Sequence, residues 1–461
     1  MTTVGAKGES QSAEITQTGT KSQESSGKIT KVEWLISIEN CKVDETAKKS
    51  QIERVPSLLR QSNSDENCYD PIVVSIGPYH HGKPGLEAFE QLKIPIAQKL
   101  CCDHSNQVSL ESLYEEVAKV GKSARECYEK GSTEDYDDEL FNRMMFLDAC
   151  FVLYLMFILK EKNVSSGTDK EQRVDPRLYM GYYQGLMISD LFLLENQIPL
   201  LILKVLMDFM FNSEIQEELI QSLLKSPTIS KSRHAFMKLD LDGSPHLLHL
   251  IWKQLSFRPI TKVREEYWDI WESYRTVTEL DLAGIHVKPS QTGNLTDVEF
   301  KSRLFFGTLT LPQIVIDDLT KPLLFNLVAY EMCPHGPSDL GITSYFCLMD
   351  YLIDRADDVK ELRKRKILVN FLGSDQELAQ FFNKIAKDLV PDATIYAEAK
   401  RKIEIHCQNK VQAWMAEWVH KYFSSPWTLL AFLGAILVLA LTMAQTYFAA
   451  YTYYTSESKT S

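Results

Sequence analysis

Positive charge is in short supply in this chain: 50 Lys and Arg against 62 Asp and Glu leave a formal net charge of −12 over 461 residues. A general nucleic-acid binder needs a basic face, so the balance argues against that class. It also gives the body no electrostatic reason to adhere to anionic lipid. Cofactor motifs are missing as well. No Gly-rich loop ends in Gly-Lys-Ser/Thr, no Gly-x-Gly-x-x-Gly follows a strand pattern, and there is no Gly-x-Ser-x-Gly elbow or kinase signature set. Cysteine offers no disulfide framework. Nine residues, an odd count, stand at irregular spacing (Cys41, Cys68, Cys101, Cys102, Cys127, Cys150, Cys333, Cys347, Cys407), mostly in apolar helical surroundings where reduced thiols pack. The opening MTTVGAKGESQSAEITQTGT lacks an apolar run of signal-peptide type.

The most telling absence is of charge over one long stretch. From Trp427 to Tyr454 no charged residue occurs, and a helix needs about 20 apolar residues to cross roughly 30 Å of hydrocarbon. Residues 427–451 therefore predict one transmembrane helix that makes the lipid bilayer a partner, with 452–461 as a short polar tail. Pro426 can open the helix. Trp427 at one end, and Tyr447, Phe448, Tyr451, Tyr453 and Tyr454 at the other, suit the headgroup level. Ala431 and Ala435, and Ala440 and Ala444, could let two copies approach closely as a homo-oligomer. Without a leader, insertion would follow synthesis and leave the body in the cytosol, and Lys410 and Lys421 upstream against Lys459 downstream agree with that side. The expected localisation is a single-pass membrane protein of the plasma membrane or endomembrane.

With 44% hydrophobic residues the remainder can bury one large core or two ordinary ones. Residues 1–30 are polar and read as a disordered tail, and 31–422 as one helical domain in which Trp34, Ile38 and Cys41 share the first helical face. Helical periodicity covers Leu86–Leu100, Leu110–Glu129, Phe141–Lys160, Leu186–Met210, His246–Leu255, Lys321–Met332, Ile342–Ile353 and a long last helix, Thr394–Phe423, with Ile403, Trp414 and Trp418 among its apolar positions. Two places read as extended. Pro71–Ile76 is β-branched and ends at Gly77-Pro78. Within Val298–Ile316, Leu309 and Leu311 alternate with Thr308 and Thr310 as in a half-buried strand, which Pro312 keeps short or at an edge. Loops fall at Val164–Asp175 and Lys231–Ser244. The fold class is mainly α, with a small β element and a C-terminal transmembrane helix.

Candidate chemistry is sparse. His80 and His81 are adjacent and would not ordinarily point at one metal; Cys101, Cys102, Asp103 and His104 lack a second pair at zinc spacing. His246 and His249 lie one helical turn apart without an identifiable third ligand. The densest polar feature in an apolar context is Asp190-Leu-Phe-Leu-Leu-Glu195-Asn196-Gln197-Ile-Pro199. Buried there, its polar groups must find partners, and the expectation is a structural network joining helices; a catalytic carboxylate would look the same in one dimension. The run Glu134, Asp135, Asp137, Asp138, Glu139 opens a helix, where the dipole favours negative charge, and lacks calcium-loop spacing. We expect no catalytic, cofactor-binding or metal residues. The alternative is an enzyme with an unfamiliar helical site near Glu195 and the His80-His81 loop.

Several segments together resemble one family. They are Val55-Pro56 followed by IGPYHHGKPGLEAFEQLK (76–93), ARECY (124–128), MMFLDACFVLYL (144–155), DLFLLENQIPLLIL (190–203), TELDLAGI (278–285), LTLPQIVID (309–317), NLVAYE (326–331), ITSYFCLMDYLI (342–353) and VNFLGSDQELAQFFN (369–383). Along nearly its whole ordered length the chain is similar to the plant domain-of-unknown-function 247 family. It departs at Tyr154, where members often carry an acid, and at Leu200, where an aromatic residue often follows the Pro. The resemblance implies a plant-specific, membrane-associated protein with no established catalytic residues. Some grass members are linked with pollen–stigma self-incompatibility, so it also implies a non-catalytic protein-interaction, signalling or recognition role.

Overall fold

The computed structural model of the chain describes residues 52–62, 67–104, 109–164, 176–226, 240–256, 275–292, 294–303, 306–409 and 426–457, all within the unit Lys49–Ser461. The expected tail and the first helical face around Trp34, Ile38 and Cys41 lie outside them, as do most of the two expected loops. Among the described residues the chain is mainly α, with fifteen helices and five short strands. The first nine helices are α1 (Ser57–Ser62), α2 (Glu87–His104), α3 (Leu110–Arg125), α4 (Asp138–Val164), α5 (Pro176–Asp190), α6 (Leu200–Met210), α7 (Ser213–Leu224), α8 (Leu247–Ser256) and α9 (Val277–Leu282). Strands β1 (Ile285–Pro289), β2 (Glu299–Ser302), β3 (Gly307–Leu311) and β4 (Ile314–Ile316) follow. After them come α10 (Thr320–Glu331), α11 (Gly341–Leu352), α12 (Ala356–Lys364), β5 (Leu368–Asn370), α13 (Asp375–Ile385), α14 (Ala397–Gln408) and α15 (Pro426–Glu457).

Helix α4 is the centre of the first helical layer because it is apolar around its whole circumference: every residue from Asp148 to Leu159 is buried, as such a helix must be in water. Helices α2, α3, α6 and α7 pack around it. The acidic run stands where expected, with Asp138 and Glu139 in the first turn of α4 and Asp137 accepting the Leu140 amide at 2.7 Å. The β element is a three-stranded sheet of order β1-β3-β2, with β3 parallel to β1 and antiparallel to β2, and a separate parallel pair β4-β5. Alternation in β3 is as read from the sequence: Leu309 and Leu311 are buried and the threonines half-buried. Pro312 does end the strand, but β3 is the central strand, because both of its flanks are paired before that proline.

Four sequence expectations need correction. Pro71–Ile76 is not a strand; its backbone amides are taken by side chains instead of a ladder. Asp190 accepts from Ile72, Val73 and Val74 at 3.0, 2.7 and 3.0 Å, and Asn196 accepts from Ile76 at 2.7 Å. Leu186–Met210 is two helices, not one. Pro199 has no amide to continue the turn, and the side-chain amides of Asn196 and Gln197 donate to the carbonyls of Asp190, Leu191 and Leu193, competing with helix as Asn does. Helix α3 stops at Arg125, short of Glu129, because Ile52 pairs with the following turn: its amide donates to Cys127 O at 3.0 Å, and Glu129 N donates to Ile52 O at 3.3 Å. The expected Thr394–Phe423 helix is interrupted: α14 runs from Ala397 to Gln408 and Asn409 is extended, consistent with the poor helix propensity of Asn; the rest of that stretch, with Trp414 and Trp418, lies outside the described residues.

The tightest junction is at Gly77. Its φ is +79°, and a Cβ there would lie 2.4 Å from the Gln197 carbonyl oxygen. At Gly82 φ is +74° but a Cβ would meet nothing within 4 Å. Gly82→Ala should cost about 1 kcal/mol of backbone strain, and Gly77→Ala about 3 kcal/mol or more, because a backbone carbonyl must also move. Urea midpoints of the two variants test this; equal losses would mean that the junction is not rigid.

Candidate functional site

The structure brings Glu195 and His80 together in a cleft of about 390 Å³ lined by Arg54, Arg60, Asp70, Tyr79, His80, His81, Gly82, Lys83 and Glu195. One wall is the start of α1. Pro56 fits the entry to that helix, and its carbonyl accepts the amides of Leu59 and Arg60, which points Arg60 at the cleft. The other wall is the IGPYHHGK loop, anchored where Gly77 N donates to Asp148 Oδ2 at 2.7 Å and Tyr136 Oη to Pro78 O at 3.0 Å. The loop then turns through His80 O, which accepts from Lys83 N at 3.1 Å. Glu195 forms the floor and is 3% exposed.

Charges alternate across this cleft. Glu195 Oε1 accepts the Val55 amide and Oε2 accepts Arg60 Nη2, both at 2.8 Å. Arg60 Nη1 donates to Asp70 Oδ1 at 3.1 Å, and Lys83 Nζ lies 3.0 Å from Asp70 Oδ2. Burial works to lower the Arg60 pKa, but Glu195 and then Asp70 carry it above its ordinary value. Asp70 is held below the usual carboxylate range by Lys83 and Arg60, against the opposing effect of burial. His80 is buried, and that burial pushes its pKa down to about 4, with Asp70 opposing and Lys83, Arg60 and Arg54 reinforcing. Its imidazole is therefore neutral near pH 7. His80 Nε2 stands 3.5 Å from Glu195 Oε2 and has no hydrogen-bond partner among the described groups.

Sequence reasoning gave no weight to Lys93 and Asp148, which form a second ionic cluster beneath the loop. Lys93 is 1% exposed; its ammonium reaches Ser75 O at 2.7 Å and Glu90 Oε1 and Asp148 Oδ1 at 2.5 Å each. Two of these contacts are hydrogen bonds and the third is a buried ion pair with Asp148, so this lysine holds structure together. Burial raises the Asp148 pKa, and Lys93 counteracts it. The signal was available: a lone acid inside MMFLDACFVLYL must have a cation if that helix is buried.

The other candidates are placed in structural surroundings. Asn196 and Gln197 are buried and bound to backbone, Asn196 Nδ2 donating to Val74 O and Asp190 O, and Gln197 Oε1 accepting the Leu248 amide. His249 Nδ1 is 2.7 Å from Tyr330 Oη, and burial lowers its pKa to about 4; His246 is fully buried beside it. Cys101 is buried and Cys102 exposed, while the side chains of Asp103 and His104 lie outside the described residues. Among the described residues no group of three or more His, Cys, Asp or Glu is set to hold a metal ion.

Residues 52–441 match the domain-of-unknown-function 247 family, described as a plant protein of unknown function. The chain belongs to this family. Two Arabidopsis thaliana relatives are similar to it along most of their length. The UPF0481 protein At3g47200 is 26% identical over 437 residues, covering 85% of this chain and 88% of the relative. The putative UPF0481 protein At3g02645 is 25% identical over 497 residues, with the same two shares. No solved structure matches the chain. The part shared with the domain-of-unknown-function 247 family includes the whole cleft, from Arg54 to Glu195, and runs into α15 as far as residue 441.

Because the folded pKa of His80 is depressed from 6.5 to about 4, the unfolded chain takes up a proton between those values that the folded chain does not. Stability is then full above pH 6.5 and lost as pH falls toward 4, by about 3 kcal/mol from this residue. His249 adds a loss of the same sign. His80→Gln should flatten, without abolishing, the pH dependence of the denaturation midpoint in that window; an unchanged slope would refute the assignment.

Proposed function

We propose that this protein is a membrane-tethered, non-catalytic interaction or signalling component, whose helical body is held at a bilayer and binds a protein partner. One observation carries the reading. Leu430–Tyr451 is a 22-residue helical span of mean hydropathy 1.8, none of it buried. At about 1.5 Å per residue it reaches roughly 33 Å, enough to cross the hydrocarbon. The hydroxyls inside it need no water: Thr442 donates to Val438 O and Thr446 to Thr442 O, both at 2.8 Å, as polar groups in lipid must. Removing residues 424–461 should release the body from carbonate-washed membranes. Continued pelleting of the truncated body would reveal a second attachment and sink the single-anchor reading.

The body is placed in the cytosol on this reading, in plasma membrane or endomembrane, and self-incompatibility recognition is one role it could fill. Six of the eight described cysteines are buried free thiols, which suits a reducing compartment. Two glycosylation sequons, Asn163-Val-Ser165 and Asn294-Leu-Thr296, discriminate the sides. In the second, Thr296 is buried and its hydroxyl donates to Asn294 Oδ1 at 2.7 Å, so the folded sequon is tied to itself. Treatment with an enzyme that removes N-linked glycans should leave the mobility unchanged. A shift lost in the Asn163→Gln, Asn294→Gln double variant would put the body outside and overturn the cytosolic placement. A second reading, an enzyme acting at Glu195 and the His80-His81 loop, is favoured by the unpartnered His80 Nε2 in the cleft. Against it, both Glu195 oxygens already accept hydrogen bonds from protein groups.

A further inference from the structure

We infer that the cleft between α1 and the Tyr79–Lys83 loop binds a small oxyanion, the phosphate or carboxylate group of a ligand, on Arg54, Lys83 and His80. In a chain of net charge −12, this cleft gathers three cations, Arg54, Arg60 and Lys83, against two carboxylates, Asp70 and Glu195. Those carboxylates are satisfied internally. Glu195 is bound by the Val55 amide and Arg60, and Asp70 by Arg60 and Lys83. Arg60 is thereby committed to the framework.

Three donors are left over. The Arg54 guanidinium stands 4.6 Å over the Tyr79 ring and has no carboxylate partner among the described residues. Lys83 has one partner, Asp70, for three ammonium hydrogens. His80 Nε2 is the independent pointer: the side chain is 6% exposed, it lines the cleft, and although Glu195 Oε2 stands 3.5 Å away, this nitrogen makes no hydrogen bond among the described groups. A buried polar atom left unmade costs about 1–3 kcal/mol, and an acceptor from outside removes that cost. A neutral imidazole can carry its proton on Nε2 and donate it, while the Arg54 fork and the Lys83 ammonium supply the charge that an oxyanion needs. The volume, about 390 Å³, is at the small end of the roughly 300–1,000 Å³ common for ligand sites, and the polar walls match a compact, hydrophilic ligand. Arg54 is exposed, so the mouth is open to solvent.

The inference does not rest on the membrane reading, and its test uses the full chain in nanodiscs of neutral phosphatidylcholine. Histidine-labelled protein is titrated with inorganic phosphate and, separately, with acetate, and a third sample carries phosphatidic acid in the disc. The His80 resonance, identified by its loss in His80→Gln, is followed by NMR. A saturable shift is expected in at least one arm, with apparent affinity weakened about tenfold or more by Arg54→Gln and by Lys83→Gln, as for loss of one charge-assisted hydrogen bond. Arg54 is exposed, so Arg54→Gln should leave the melting temperature unchanged, while Lys83→Gln, which also removes the pair with Asp70, should lower it by no more than the loss of a surface ion pair does. Saturation by phosphate or acetate in neutral discs marks a soluble ligand; a response confined to phosphatidic acid marks a lipid headgroup. No saturable shift in any arm, or a shift that neither substitution weakens, would overturn the inference.

Discussion

Asn196 occupies the point on which the architecture turns. Its carboxamide accepts the Ile76 amide and donates to Val74 O and Asp190 O, so together with Asp190, which takes the Ile72, Val73 and Val74 amides, it substitutes for the strand that Pro71–Ile76 would otherwise need. Its neighbours act in other directions: Glu195 holds the start of α1 through the Val55 amide, and Gln197 holds α8 through the Leu248 amide. Three consecutive residues thus secure three separate parts of the body. Each buried group would cost about 1–3 kcal/mol if left unmade, against a typical total stability of about 5–15 kcal/mol, so this short segment carries a large share of what holds the fold together. The cleft is built on the same segment, and its floor cannot shift without disturbing the core.

Two long apolar helices meet opposite fates for physical reasons that the residues display. Helix α4 is packed among other helices, and its buried stretch from Asp148 to Leu159 contains one acid, Asp148, which Lys93 neutralises from α2. Helix α15 has an apolar exterior, none of it buried over Leu430–Tyr451 among the described residues, and no charged residue from Trp427 to Tyr454. A charge can be kept in a protein interior when a partner is built beside it. In lipid such a partner must come from another helix, so a charge-free run such as that of α15 marks a helix long and apolar enough to cross a bilayer better than apolar content alone does.

Much of the fold was legible in the sequence where a single local rule was at work. The periodicity of α2, α4, α10 and α11, the alternation of Leu309 and Leu311, and the charge-free C-terminal run each express one property, burial of a face or of a whole surface. The misreadings came where side chains compete with the backbone. Ile72 to Ile76 has strand propensity, yet its hydrogen bonds go to Asp190 and Asn196, about a hundred residues away, which no local pattern encodes. The break between α5 and α6 was signalled by Pro199 and overridden by the run of Leu and Phe around it. The cleft was half visible: Glu195 and the His80-His81 loop could be named as neighbours in one hypothesis, whereas nothing local singles out Arg54, Arg60 and Lys83, which only the folded chain brings together.

The separations in sequence of these bonds have a temporal consequence. Ile76 finds Asn196 across 120 residues, Cys68 O finds Asn326 across 258, and Glu53 pairs with His335 across 282. Closing such loops is entropically expensive before other contacts repay it, and folds dominated by distant pairings assemble slowly. During synthesis the N-terminal third of the body must wait, with Val73, Val74 and Ile76 uncovered, until the Asp190–Pro199 segment leaves the ribosome, and its last partners arrive more than a hundred residues later still. A nascent chain in that condition is a substrate for chaperones, and the order of emergence, more than the final energy, governs how much of it reaches the folded state.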